Sequence, residues 1–227
     1  FPTTSQPSPA DFESCFSAAR AKGDDVVAVL LSSALSGTFQ GACIAREMVL
    51  EEHPEKQICV IDSRAAAGTM VLLIRRAQAL MEAAGDDGDF DALCQQLHRY
   101  QATLRTCFTL ENFDNLIKNG RMRPIVGTLL RSLGIHIIAD ATAEGTIHVA
   151  DKARGVGKTY RAITALMKAS KDCTDAEVVI SHCENLEGAM ALKRQILADL
   201  PVKQVDLLSC RGLTSFYAME KGLIVGY

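Results

Sequence analysis

The sequence predicts an α/β protein of two domains, and three observations predict it. Short β-branched runs alternate with helical runs of ten or more residues as far as about position 102. Hairpin-like strands join the pattern after that point, and 48% of the 227 residues are hydrophobic, ample for packed cores. The expected architecture is a parallel-sheet α/β/α domain over residues 1–102, then an α+β domain with a mixed sheet over residues 103–227. A net charge of −3 gives no polybasic footprint, so nucleic acid and anionic membrane are not expected partners. No apolar run of about 18 residues occurs, so a soluble, cytoplasmic protein without integral membrane association is expected. The eight cysteines show no C-x-x-C pair and read as buried small hydrophobes of a reducing cytosol.

Ser8-Pro9-Ala10-Asp11 places a cap, a first-position proline and a first-turn acid ahead of a helix to about Ala21. Gly23-Asp24-Asp25 closes it, and Val26–Leu31 is an apolar strand. A helix from Thr38 to Glu52, a break at His53-Pro54 and a strand Gln57–Ile61 repeat the plan. Asp62-Ser63 ends that strand, and Gly68-Thr69 precede a long helix to about Ala84. Phe90–Tyr100 is amphipathic and helical.

Beyond it, Leu104–Leu110 alternates as a strand, and Glu111–Asn119 is a short helix that ends at Gly120-Arg121. Ile125–Leu133 reads as an apolar helix and Ile135–Ala141 as a strand. Glu144-Gly145 makes a hairpin turn into Thr146–Ala150. Gly157–Ala169 and Leu186–Leu200 are helices; Glu177–His182, Val205–Leu208 and Leu223–Gly226 are strands.

The stretch that organises the chain is Ser32-Ser33-Ala34-Leu35-Ser36-Gly37-Thr38, a hydroxyl-rich turn between a strand and a helix. Unpaired amides in a first helical turn, the positive end of the helix dipole and nearby hydroxyls suit a small anion such as a carboxylate or phosphate. Gly37 would let the backbone approach the guest closely. The same residues also serve as ordinary helix caps. Asp62-Ser63 is either an acid at a strand end or the cap of the next helix.

Two further patterns are decoys. Gly155-Val156-Gly157-Lys158-Thr159 lacks the first glycine of a phosphate-binding loop, since Lys152 stands there, and reads as a basic turn entering a helix. The histidines are dispersed, with no metal-ligand spacing. Ser181-His182-Cys183-Glu184 closes a strand, where adjacent side chains point to opposite faces and favour a structural or capping role.

Thr4-Ser5-Gln6-Pro7-Ser8-Pro9 and Ser32 to Ala42, at this spacing, resemble the DegV family of bacterial fatty-acid-binding proteins. Asp62-Ser63, Leu116 to Met122, and Glu144-Gly145 followed by Lys152-Ala153-Arg154-Gly155 extend the likeness along almost the whole chain. The resemblance implies a two-domain protein that holds one long-chain fatty acid between its domains and presents the carboxylate to a fatty acid kinase. Fatty acid and kinase subunit are the expected partners, with no cofactor, no metal and no catalytic residue.

By position, Thr4 and Ser36 resemble the hydroxyls that bind the carboxylate, with Ser5, Gly37 and Thr38 lining the same cup. Arg121 and Arg154 resemble basic positions near the domain junction. Family members usually carry a further segment, including a first strand, ahead of Thr4, so the chain is expected to lack its N-terminal part. Many also end in a His-x-Gly-Pro-Gly signature; here Ala218 stands at the His position, with the Tyr217 hydroxyl beside it. Ile125, Leu129, Leu130, Leu133 and Ile135 are candidates to line the acyl chain. The competing readings are a phosphotransferase or hydrolase using the same cup with Asp62 or His182 as base, and a protein-interaction role.

Overall fold

The computed structural model describes residues 2–55, 57–85, 88–124 and 134–227. They form two compact units, and the division is not a single cut near 102. Unit 1 holds residues 1–65, 73–103 and 143–145; unit 2 holds 66–72, 104–142 and 146–227.

Unit 1 is built from α1 (Pro9–Ala21), β1 (Val26–Leu30), α2 (Thr38–Glu52), β2 (Ile58–Asp62), the body of α3 (Gly68–Ala84) and α4 (Phe90–Thr103). β1 and β2 pair in parallel, from Val26 opposite Ile58 to Leu30 opposite Asp62. Its core joins Phe16 of α1, Ala42, Ala45 and Val49 of α2, and Leu30, Ile58 and Val60 of the strands. Alanines at 42 and 45, both wholly buried, let α2 lie close to the sheet. Among the described residues β1 pairs with β2 alone. Accordingly Val26 to Val29 stay half-buried while β2 is buried over Ile58–Ile61.

Unit 2 contains β3 (Thr106–Leu110), α5 (Asp114–Lys118), β4 (Ile135–Ala141), β5 (Ile147–Arg154), α6 (Val156–Ser170), β6 (Glu177–His182), α7 (Leu186–Asp199), β7 (Gln204–Ser209), α8 (Gly212–Ala218) and β8 (Leu223–Gly226). The sheet order is β5-β4-β3-β8-β6-β7; only β6 and β7 run parallel, so it is mixed as expected. Successive residues of a strand face opposite ways. Cys107 and Ile138 therefore join Ile163, Met167, Leu192 and Ile196 under α6 and α7, while Phe108, Leu110 and Ile137 join Phe113, Leu116 and Ala218 under α5 and α8.

The entry to α3 belongs to this unit because the chain approaches the sheet too closely for side chains. A Cβ added at Gly68 would lie 2.8 Å from the Val179 carbonyl oxygen, and one at Gly226 would lie 2.6 Å from the Thr69 Cα. The Thr69 and Thr106 hydroxyls share a 2.7 Å hydrogen bond there.

Two elements differ from the sequence reading. β5 runs on to Arg154 because β4 offers it partners as far as Ile135, past an irregularity at Ile138/Ala139. Its polar residues Asp151 and Lys152 suit an edge strand. α8 has no counterpart in the sequence reading; its seven residues, GLTSFYA, combine weak helix formers and are too few to show a period. The expected helix 125–133 lies outside the described residues.

The start of α1 follows its sequence signals. The Ser8 hydroxyl accepts the Asp11 amide at 3.3 Å, and the Asp11 carboxylate accepts the Ser8 amide at 2.8 Å, a closed capping box. The Ser8 hydroxyl and then the Ser8 amide hold the Asp11 carboxyl below its ordinary value. A carboxyl lowered in the folded state stabilises above its unfolded value and loses that effect as pH falls through the folded one. Ser8→Ala should therefore cost about 1 kcal/mol at neutral pH. In thermal unfolding, its deficit should narrow below about pH 4.

Candidate functional site

β1 and β2 end side by side, so the two turns that follow them leave from the same carboxyl edge. The ladder continues one step beyond the strands: the Ser63 amide donates to the Leu30 carbonyl at 3.0 Å and the Ser32 amide to the Ala65 carbonyl at 2.9 Å. The Asp62 carboxylate then receives the Ser33 amide at 3.0 Å, the Ser33 hydroxyl at 2.5 Å and the Arg64 amide at 2.9 Å. Charge-assisted bonds of this kind are short and strong. Asp62 thus clamps one turn to the other. It does not cap α3, which begins only at Gly68.

Ser32 is wholly buried. Its hydroxyl donates to the Gly145 carbonyl at 2.8 Å and accepts the Ala34 amide at 3.3 Å. Gly145 has φ +83°, and a Cβ there would overlap the Ser32 hydroxyl and come within 2.9 Å of the Arg64 Cα. Arg64 and Ala67 themselves hold left-handed backbone, with φ 49° and 54°. Left-handed non-glycine residues cost on the order of 1–3 kcal/mol each and cluster at functional sites.

With Ser32, Ser33 and Ser63 committed to the turns, Ser36 and Thr38 supply the hydroxyls that remain. Their oxygens lie 2.7 Å apart, and the Ser36 oxygen also accepts the Thr38 amide at 3.3 Å. One bond between two hydroxyls uses one of their two protons, leaving a donor over. The residue before α2, Gly37, offers no side-chain cap. The Phe39 and Gln40 amides meet no intramolecular acceptor among the described residues. A spare hydroxyl proton and two bare amides at a helix N-terminus are donors suited to an anion.

The Thr4-Ser5-Gln6-Pro7 segment reaches this turn. A Cβ on Gly37 would overlap the Gln6 side-chain amide, and one on Gly41 would sit 3.7 Å from the Pro7 carbonyl oxygen. Gly37 therefore admits Gln6, a role different from the close backbone approach to a guest read from the sequence. Its φ of −72° is ordinary. Thr4 is half-buried and Ser5 exposed.

The other candidates lie in unit 2. Arg121 follows α5, its amide donating to the Leu116 carbonyl at 2.8 Å and its guanidinium to the Asn119 carbonyl. Arg154, exposed, ends β5 opposite Ile135. Ile135 is half-buried at the start of β4, whereas Ile125, Leu129, Leu130 and Leu133 lie outside the described residues. Ala218, the last residue of α8, is buried, and Tyr217 stands edge-on to Phe216 with ring centres 4.8 Å apart.

His182 is buried and its Nδ1 accepts the Asn185 amide at 3.4 Å, while Asn185 caps α7 through the Gly188 amide. That is the structural role favoured from the sequence. All eight cysteines are free thiols. Burial raises Cys210 to about 11 and lifts Cys59 and Cys173 as well, the opposite of an activated nucleophile. Among the described residues no helix is long and apolar enough to cross a membrane, and no group of His, Cys, Asp and Glu could hold a metal ion.

Gln6 and Gly145 are the site residues that sequence reasoning did not assign. The Gly145 partner, Ser32, is 113 positions away, so no local pattern announces the contact. Because its backbone is left-handed and a Cβ there would meet both the Ser32 hydroxyl and the Arg64 main chain, Gly145→Ala should destabilise unit 1 by roughly 1–3 kcal/mol. Gly37→Ala should cost less, since only the flexible end of Gln6 must move. Denaturant midpoints of the two variants will rank them.

Comparison with known proteins identifies the family. The family model described as uncharacterised protein, DegV family, matches residues 1–222. A DegV domain-containing protein of Streptococcus gordonii is 33% identical over 222 residues, 97% of this chain and 76% of that one. The crystal structure of a DegV family protein from Ruminococcus gnavus with vaccenic acid superposes with a TM-score of 0.90 at 29% identity, covering 99% of this chain and 78% of that one. The fatty acid kinase (Fak) B3 protein of Streptococcus pneumoniae, loaded with linoleic acid, gives a TM-score of 0.87 at 32% identity over 98% of this chain and 76% of that one. On its sequence and its fold, the chain belongs to the DegV family.

Proposed function

We propose that this protein binds one long-chain fatty acid, holding the carboxylate in the cup formed by Ser36, Thr38 and the first turn of α2. The observation that carries the reading is the spare donor set at an uncapped helix N-terminus, with the Thr4-Ser5-Gln6 segment laid against it. Thr4 and Ser5 complete the cup, and Arg121 and Arg154 are the basic residues that favour the anion. Relatives crystallised with vaccenic and linoleic acid support the ligand class.

The division of labour is physical. An acyl chain of sixteen or so carbons gains roughly 0.8 kcal/mol per buried methylene, so the tail dominates affinity. The donors fix which end of the ligand is where. An apolar tunnel takes the tail, with Ile135 among its walls. The protein is a carrier without catalysis of its own. Asp62, the base that the enzyme reading needs, already receives three hydrogen bonds from its own turns, and His182 accepts the Asn185 amide. Presentation of the carboxylate to a fatty acid kinase is the proposed use, as the name of the pneumococcal relative suggests.

Ser36→Ala removes one hydrogen bond to a charged group, worth about 1.5–3 kcal/mol, so oleate affinity should fall at least tenfold by calorimetry. Ser36→Thr should restore most of it. Circular dichroism and a denaturant midpoint near the parent's will separate lost binding from lost folding. Unchanged oleate affinity in Ser36→Ala would refute the cup.

A further inference from the structure

Unit 2 contains a cavity of about 350 Å³, lined in part by Thr109, Glu111, His136, Tyr160, Glu187 and Lys221. None of these belongs to the hydroxyl turn of unit 1. Thr109 alternates with Phe108 and Leu110, so it faces the side of the sheet covered by α6 and α7, on which Cys107 and Ile138 also lie. The first residue of α6, Val156, and the N-cap of α7, Asn185, bring two helix N-termini to the same rim.

Three features of this cavity ask for a guest. Thr109 is only 7% exposed, and its buried hydroxyl has no hydrogen-bond partner among the described residues. A buried polar atom without a partner is rare in native proteins, and it marks a place where a ligand or ordered water belongs. Glu187 and Lys221 line the cavity with opposite charges, yet neither forms an ion pair with any described residue. α6 begins at Gly155 without a side-chain cap, so the positive end of its dipole is open.

Glu111, also in the lining, stands 3.7 Å from His136, and both are partly buried. Burial, and then the fields of Glu111 and Glu187, raise the Tyr160 hydroxyl, as expected for a phenol between two carboxylates. Part of the remaining wall is aliphatic, from Val156, Ala191 and Leu223.

We propose that this cavity is a binding site for a small zwitterion of the α-amino-acid type with an aliphatic side chain. Glu187 and Glu111 take the ammonium group, and Lys221 with the α6 N-terminus takes the carboxylate. The Thr109 hydroxyl completes the polar shell, and the aliphatic wall receives the side chain. A simple anion would meet two carboxylates, and a simple cation would meet Lys221 and two helix N-termini. A molecule with one charge of each sign satisfies both sets. The volume lies at the small end of ligand pockets.

Calorimetry on the full chain with L-leucine, 4-methylpentanoate and 3-methylbutylamine tests the site, because the last two each lack one charge of the first. Leucine should bind at least about tenfold more tightly than either analogue, the effect of one lost charged hydrogen bond. Thr109→Val keeps shape and removes the hydroxyl, and Glu187→Gln keeps shape and removes the charge. Each should weaken leucine binding about fivefold or more, while oleate affinity stays at the parent value. Absence of heat with leucine at millimolar concentration, or equal affinity for leucine and both analogues, would overturn the proposal. Leucine binding unchanged in both variants would overturn it too.

Discussion

The candidate site depends on one carboxylate. Parallel pairing places Leu30 opposite Asp62, and from there the chain leaves the sheet twice, through two turns beyond the strand ends. Asp62 receives the amides of Ser33 and Arg64 and the Ser33 hydroxyl, so the two turns share one anchor. Without that anchor, the left-handed backbone at Arg64 and Ala67 would have little to hold it, and the approach of Gly145 to Ser32 would lose its floor. The acid gives the site its shape, and the hydroxyls beyond it are what remain free to meet a guest.

This arrangement explains why a run with so many hydroxyls offers so few donors. Ser32, Ser33 and Ser63 each close a bond inside the turns. Among the described residues of this run, the Ser36 and Thr38 pair and the Gly37, Phe39 and Gln40 amides keep unspent donors. A carboxylate needs only two or three such bonds, and an apolar tail supplies most of the binding free energy. A small, preorganised cup is therefore sufficient for a head group, and its donors act on orientation more than on affinity.

The alternation of strands and helices, the two parallel strands and the mixed sheet were legible because each rests on local periodicity and on capping residues next to the element they cap. The Ser8 to Asp11 box is such a case, two residues three apart in sequence. The hydroxyl turn was legible as a turn for the same reason. Its internal division was not, because the bonds that decide which serine is spent come from Asp62 and Gly145, 29 and 113 positions away. Gly37 shows the limit well. A glycine in a hydroxyl-rich turn suggests room for a ligand, yet the room is taken by Gln6, and only the fold brings residue 6 to residue 37. α8 escaped for the opposite reason, since seven residues of weak propensity carry no period.

The family resemblance implies a histidine where Ala218 stands. A histidine at that position would bring a titratable, hydrogen-bonding group; alanine brings neither, and here it is packed into the apolar cluster of Phe108, Leu110 and Leu116. The proposed carboxylate site then rests on hydroxyls and helix amides, with Arg121 and Arg154 as its basic residues, and without an imidazole, the group that changes charge between pH 5 and 8. A fatty acid bound as proposed would be held by fixed donors and by field, with no imidazole proton to gain or lose.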